Sequence, residues 1–405
     1  MKQLISKTIW ISAILLGFMT VMAPAPIEAK VTKGQASIAK RSAKLYLRQR
    51  QYDKALENYL VAAEGRPGDL EVHYNIGTIY SRKELYDDMN KHFAIIEEAK
   101  KNKKWLKRID AERKTLWRQH YNIGVQALNA QKSEYAIEQF NTAIKVDERE
   151  SDAYEGIGIA YLNIGKTEEG IQAYRSAIEK NPKKSQSYYN LSVALTNQGT
   201  LESQREALTL LQKGHELAPK DLQILQQMAL LFNRQGDNVA AGEAAEKALA
   251  VDPKNPTVLN IASQIFLTAE NYEKSAAILE KVLEITPDDQ NALFNLAIAY
   301  SKMGESEKAI DLYKKTVEAT PNDGDAWYQL GSLYLELEKF DDAITASQKV
   351  IDLQPGNHRA WGLKYQSLAK KSEGASGAEA TALVKQATEA FEMFEELKKQ
   401  KSGSE

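Results

Sequence analysis

The sequence predicts an all-α fold in which about ten helical hairpins stack into a solenoid. Three observations carry that expectation. The chain of 405 residues repeats itself every 34 residues. Each period holds two apolar stripes at the three- and four-residue spacing of a helix face. A proline closes most periods, at Pro67, Pro182, Pro219, Pro253, Pro287, Pro321 and Pro355.

Residues 290–323 show how one unit is encoded. Leu293, Leu296, Ala297 and Tyr300 fall on one face and predict a first helix. Met303-Gly304-Glu305-Ser306 then reads as a turn, with Gly304 suited to a left-handed helix end. Ala309, Ile310, Tyr313 and Val317 predict the second helix. Small residues such as Ala309, Gly331 and Ala343 let paired helices approach closely. The closing proline has no N–H to give, which suits a loop or a first helical turn. One hairpin cannot bury both stripes, whereas a stack of them buries a continuous core.

Units begin at about residues 36, 70, 117, 151, 185, 222, 256, 290 and 324, so nine of them fill 30–357. A degenerate tenth starts at 358, with a first helix to about Lys371, a flexible stretch over 372–378 and a capping helix to about 400. That helix carries Ala387, Phe391 and Phe394 at second-helix spacing, and residues 401–405 read as a disordered tail. Two irregularities break the period. Three extra residues fall near Ser203–Arg205, expected in the turn of the 185 unit. A longer insertion occupies about 97–117, expected as two helices lengthened past the repeat with a basic, apolar-edged tip.

The recurring first-helix segment Trp327-Tyr328-Gln329-Leu330-Gly331-x-x-Tyr334 aligns with Tyr154-Glu155-Gly156-Ile157-Gly158-x-x-Tyr161. With the second-helix alanines, the following aromatics (Phe93, Phe140, Tyr174, Tyr313) and the closing proline, it resembles the tetratricopeptide repeat. The resemblance spans about 36–400. It implies a right-handed superhelix whose first helices line a concave groove, and a role in binding proteins or peptides. It does not specify which ones, because the fold serves many unrelated systems.

On that reading, the fifth and sixth places of each unit face the groove or the seam beside it. The candidate binding pairs are Tyr74 and Asn75, Tyr121 and Asn122, Tyr189 and Asn190, Phe294 and Asn295, and Tyr328 and Gln329. Glu155, Gln226 and Asn260 fill other fifth places. An amide both donates and accepts, so a row of them can pair with the backbone of an extended peptide whatever its sequence. The adjacent aromatics supply apolar anchors. Such a row resembles the asparagine ladder in the repeat arm of O-linked N-acetylglucosamine transferase. The alternative is that these are ordinary packing residues of the family. The two-carboxylate clamp of chaperone-binding members is not matched, since the places it needs hold Arg118 and Asn122, Gln223 and Gln227, and Asp325 and Gln329.

Composition narrows the function classes. The net charge of −2 conceals an asymmetry: 30–120 holds 21 Lys and Arg against 12 Asp and Glu, and the remainder is acidic. The insertion concentrates the basic charge at Lys100, Lys101, Lys103, Lys104, Lys107 and Arg108. It reads either as a solvated spacer or as a contact with an anionic membrane surface, envelope polymer or acidic protein. There is no Cys, no HExxH and no phosphate loop, and His73 and His120 stand where Trp327 and Trp361 stand elsewhere, as packing residues. No catalytic or metal site is expected, and no cofactor.

Residues 1–29 read as a secretory signal: Lys2 and Lys7, an apolar run over 9–22, and Ala29 at the exit. The alternative is an inner-membrane anchor through 9–22, although that run is short for a span. The expectation is an exported, non-enzymatic scaffold, periplasmic or secreted, with protein or peptide partners and no nucleic acid. The second reading is a substrate-recognition or adaptor subunit of a separately encoded envelope enzyme, secretion or polysaccharide-export complex.

Overall fold

The structure, a computed structural model, describes residues 30–100 and 102–402. The expected signal over 1–29, Lys101 and the last three residues of the expected tail lie outside them. Among the described residues every regular element is an α-helix. The chain divides into two compact units. One comprises the residues up to Gln119 with Lys145–Asp147, and the other His120–Ile144 with the residues from Glu148 onward.

The first unit holds α1 (Lys33–Arg48), α2 (Tyr52–Gly65), α3 (Leu70–Arg82), α4 (Tyr86–Glu98) and the N-terminal part of α5 (Lys103–Asn129). Its core gathers Ala43, Ala55, Tyr59, Val72, Ile76 and Ile79. The second unit takes the rest of α5, most of α6 (Ser133–Val146), and α7 (Ser151–Asn163), α8 (Thr167–Lys180), α9 (Ser185–Gln198) and α10 (Leu201–Leu217). It continues with α11 (Leu222–Arg234), α12 (Asn238–Val251), α13 (Pro256–Thr268), α14 (Tyr272–Ile285), α15 (Gln290–Lys302) and α16 (Ser306–Ala319). It closes with α17 (Gly324–Glu336), α18 (Phe340–Leu353), α19 (His358–Glu373) and α20 (Gly377–Ser402). One apolar cluster runs without a break from Ile171 to Ala343, the shared core that stacked hairpins require. First helices begin at 70, 151, 185, 222, 256, 290, 324 and 358, where the period places them.

The turn chemistry explains both kinds of connection. Within hairpins a single left-handed residue ends the first helix. Gly165, Gly199, Gly236 and Gly304 do so at φ of 75–81°. Arg50, Glu84, Gln131, Glu270 and Glu338 hold the same conformation at φ 58° despite their side chains. Between hairpins, the residue two beyond the closing proline is the N-cap of the next helix. Asp69, Asp221, Asn255, Asp289, Asp323 and Asn357 each accept a hydrogen bond from a backbone N–H in the first turn. The prolines therefore sit in the loops, not in the first helical turn.

The structure corrects three local expectations. The extra residues near Ser203 do not enlarge a turn: they lengthen α10 to 17 residues, where its neighbours α8 and α12 have 14. The insertion lengthens only one helix. α4, at 13 residues, is no longer than the other second helices, which mostly have 14, and the added residues join the first helix of the next hairpin to make the 27-residue α5. The stretch over 372–378 is mostly helical, with only 374–376 between α19 and α20.

Candidate functional site

In four hairpins the fourth place of the first helix closes the loop before it. The indole Nε1 of Trp327 donates to the carbonyl oxygen of Pro321 at 3.0 Å, and that of Trp361 to Pro355 at 3.1 Å. Tyr188 Oη donates to Pro182 O at 3.0 Å. His73 makes the equivalent bond from Nε2 to Pro67 O at 2.8 Å. That bond fixes the tautomer, so His73 Nδ1 accepts from His92 Nδ1 at 2.9 Å. Burial, then the neighbouring His73, hold the His92 imidazole well below its ordinary value, at about 4. His120 is also buried, against Gln139.

The fifth-place aromatics are partly committed to packing. Tyr74 lies 6.3 Å from Phe93, Tyr121 5.6 Å from Phe140 and Phe294 5.7 Å from Tyr313, ring centre to ring centre, each against the second helix of its own hairpin. Burial raises the phenols of Tyr74, Tyr121 and Tyr189 above their ordinary range. Glu155 breaks the row. It is buried, accepts from Ser187 Oγ and pairs with Lys184 Nζ at 2.7 Å, while Lys184 also pairs with Asp152. Burial alone would lower the Lys184 ammonium, but its bonds to the two carboxylates prevail and raise it. Lys184 occupies the position where the other prolines are followed by an Asp or Asn cap, so this loop is tied by ion pairs instead.

The sixth-place amides differ in availability. Asn75 donates to Glu71 O of its own helix at 2.7 Å, and Asn190 accepts from Gln186 at 3.0 Å. Asn122 is exposed and Gln329 half-buried. Asn295 joins Asn260, Ser263, Gln264 and Asn291 in lining an open cavity of about 300 Å³ between α13 and α15. Asn260 and Gln264 are exposed there, so their amides face the space.

The basic insertion is one amphipathic helical segment. Ile109 is fully buried, Trp117 and Arg113 nearly so, and Trp105, Leu106 and Leu116 half-buried. Arg113 pairs with Glu97 and donates to Asn90 Oδ1 at 3.1 Å, which locks α5 onto α4. Lys100, Lys103, Lys104, Lys107 and Arg108 are exposed. The expected apolar-edged tip is not free: Trp105 packs on Tyr74 at 5.3 Å, and the Arg108 guanidinium lies 4.7 Å above the Tyr74 ring. The insertion thus covers one of the fifth-place aromatics that the family resemblance assigns to the groove.

A second open cavity, of about 480 Å³, lies between α17 and α19. It combines Tyr328 with Arg359, Tyr365 and Phe394. The sequence marks Tyr328 as a candidate and Phe394 only as a second-helix packing residue, because the capping helix that brings Phe394 to this cavity is irregular. The described residues hold no cluster of three or more His, Asp or Glu able to ligate a metal.

Family models of the tetratricopeptide repeat match 121–183, 156–221 and 227–290, and a second such model matches 266–330 and 307–366. No curated protein sequence is significantly similar. The C-terminal part of a repeat-containing protein from Cytophaga hutchinsonii is similar in structure at TM-score 0.52 and 19% identity, over 60% of this chain and 98% of that one. That likeness shows the fold alone. Lower similarity relates the chain to YrrB, described as having an unusual peptide-binding site (TM-score 0.43, 22% identity, 48% and 98% covered). A repeat protein from Parabacteroides merdae is comparable (TM-score 0.43, 16% identity, 63% and 99% covered). The chain belongs to the tetratricopeptide repeat family of protein-interaction scaffolds.

Proposed function

We propose that this protein is an exported, non-catalytic scaffold that binds an extended segment of a partner protein along its first helices. One observation carries the reading: Asn260, Gln264, Asn291 and Asn295 converge on an open cavity whose remaining lining is Ser263, Leu279 and Ala292, so amides dominate its rim. Amides so placed satisfy the N–H and C=O groups of a peptide backbone, which are costly to leave unpaired. A benzophenone photo-crosslinker placed at Gln264 in cells should capture partner chains, and one at exposed Lys349 on α18 should not. Equal labelling from both sites would contradict the reading.

Export rests on Lys2, Lys7, the apolar run over 9–22 and Ala29. No described helix is long and apolar enough to cross a membrane. Mass spectrometry of the native protein beginning at Lys30 supports cleavage, and an intact Met1 in a membrane fraction supports the anchor. The exposed basic charges of α5 favour an additional contact with an anionic surface or polymer of the envelope. Delivery of the bound segment to a separately encoded enzyme is the adaptor version of the same reading.

A further inference from the structure

Arg359 is exposed and pairs with no carboxylate among the described residues; its guanidinium lies 4.5 Å above the Tyr328 ring. Stacked in that way, a guanidinium keeps its edge N–H groups directed outward, ready for bidentate pairing with a planar anion. Arg359 and Tyr328 both line the 480 Å³ cavity, whose apolar wall includes Leu335, Tyr365 and Phe394. That volume lies within the range of ordinary small-ligand sites. Phe394 is held in place by Gly362: a Cβ there would come within 3.1 Å of its ring, so the absence of a side chain at 362 lets the capping helix close the cavity. Glu336 also lines it. It stands eight residues along α17 from Tyr328, about 12 Å at the rise of a helix. One negative and one positive group thus mark positions along the same wall.

We propose that this cavity is a subsite for a large apolar side chain whose neighbouring carboxylate pairs with Arg359. The inference rests on the peptide-binding reading and deepens it. The aromatic wall takes the side chain, the free guanidinium takes the acid, and Glu336 repels a second acid further along. The carboxylate comes from an Asp or Glu side chain or from a chain terminus, since both present the same anion.

The test uses the full chain and defined peptides followed by saturation-transfer NMR. End-blocked GGFDGG should bind about ten-fold more tightly than GGFNGG and GGADGG. In Arg359→Gln the Asp-over-Asn preference should vanish while the Phe-over-Ala preference remains; in Phe394→Ala the second should shrink and the first remain. The acetylated tetrapeptide GGGF with a free terminus reports the other carboxylate source, and an Arg359-dependent signal from either source supports the subsite. Equal binding of GGFDGG and GGFNGG to the wild-type chain, an Asp preference that survives Arg359→Gln, or no binding by any of these peptides overturns it. Lys349→Gln on α18 should leave these hexapeptide ratios unchanged. If longer peptides depend on the Asn260 and Asn295 amides while the hexapeptides show no Arg359 dependence, the general reading stands and the subsite falls.

Discussion

The Phe140 ring occupies the space that a side chain on Gly156 would need: a Cβ there would lie 2.5 Å from Phe140 Cζ. Phe140 belongs to α6 and Gly156 to α7, so the bare backbone is where one hairpin seats on the next. Gly156→Ala should destabilise the protein by about 1–3 kcal/mol through overpacking, which exceeds the ~1 kcal/mol gain in helix propensity. Gly242→Ala provides the contrast. Its Cβ would meet Phe266 at 3.4 Å, an ordinary contact, so the propensity gain should prevail. Urea midpoints moving in opposite directions for the two variants are the expected outcome.

The hairpin turns give a second pair of opposed effects. Gly304 sits at φ 77° and Glu338 holds the equivalent turn at φ 58°. Left-handed backbone costs a residue with a side chain about 1–2 kcal/mol. Gly304→Ala should therefore lower the thermal midpoint, and Glu338→Gly should leave it unchanged or raise it.

The His73–His92 pair makes stability depend on acidity. His92 is held at about 4 in the folded chain, below the ordinary histidine value, while the unfolded chain binds its proton near 6.5. Between those values the unfolded state carries the extra proton, so stability is full above about 6.5 and declines as pH falls toward 4. Besides burial and His73, Asp88 favours the charged form of the ring and Lys91 opposes it. Melting from pH 7 to pH 4.5 should lower the midpoint more steeply in the wild type than in His92→Gln. Parallel curves would remove the histidine from the account.

The basic face of α5 predicts a salt-sensitive contact. Replacing Lys103, Lys104, Lys107 and Arg108 with Gln should abolish the part of binding to anionic vesicles or polymer that weakens with salt. Peptide binding at the cavity between α13 and α15 should survive, because none of those four side chains lines it. Vesicle binding unaffected by the change would assign these charges to solvent.

Helix positions were legible because the period, the apolar stripes and the prolines repeat. Asp289 and Asp323 could have been read as caps from their place two residues after a proline, but the proline itself drew attention to the first turn. The insertion was harder. Its composition shows an amphipathic helix, yet nothing in the sequence says that Trp105 turns inward onto Tyr74 or that α4 is not lengthened. The candidate pairs read as a uniform row in the sequence, which hides their differences: Asn75 bonds its own helix and Asn295 borders open space, although both occupy the same place in the repeat. The Arg359 cavity escaped because it depends on Phe394, which the degenerate last unit supplies outside the regular register.

The claim that amides of the first helices grip a peptide backbone is tested most directly by affinity. Dodecapeptides selected by the full chain from a random library would be titrated against the wild type and against Asn260→Ala/Asn295→Ala. Each lost hydrogen bond should cost about 0.5–1.5 kcal/mol, so the double variant should bind roughly 5- to 150-fold more weakly, with an unchanged helical spectrum. Equal affinity for both proteins would contradict the account.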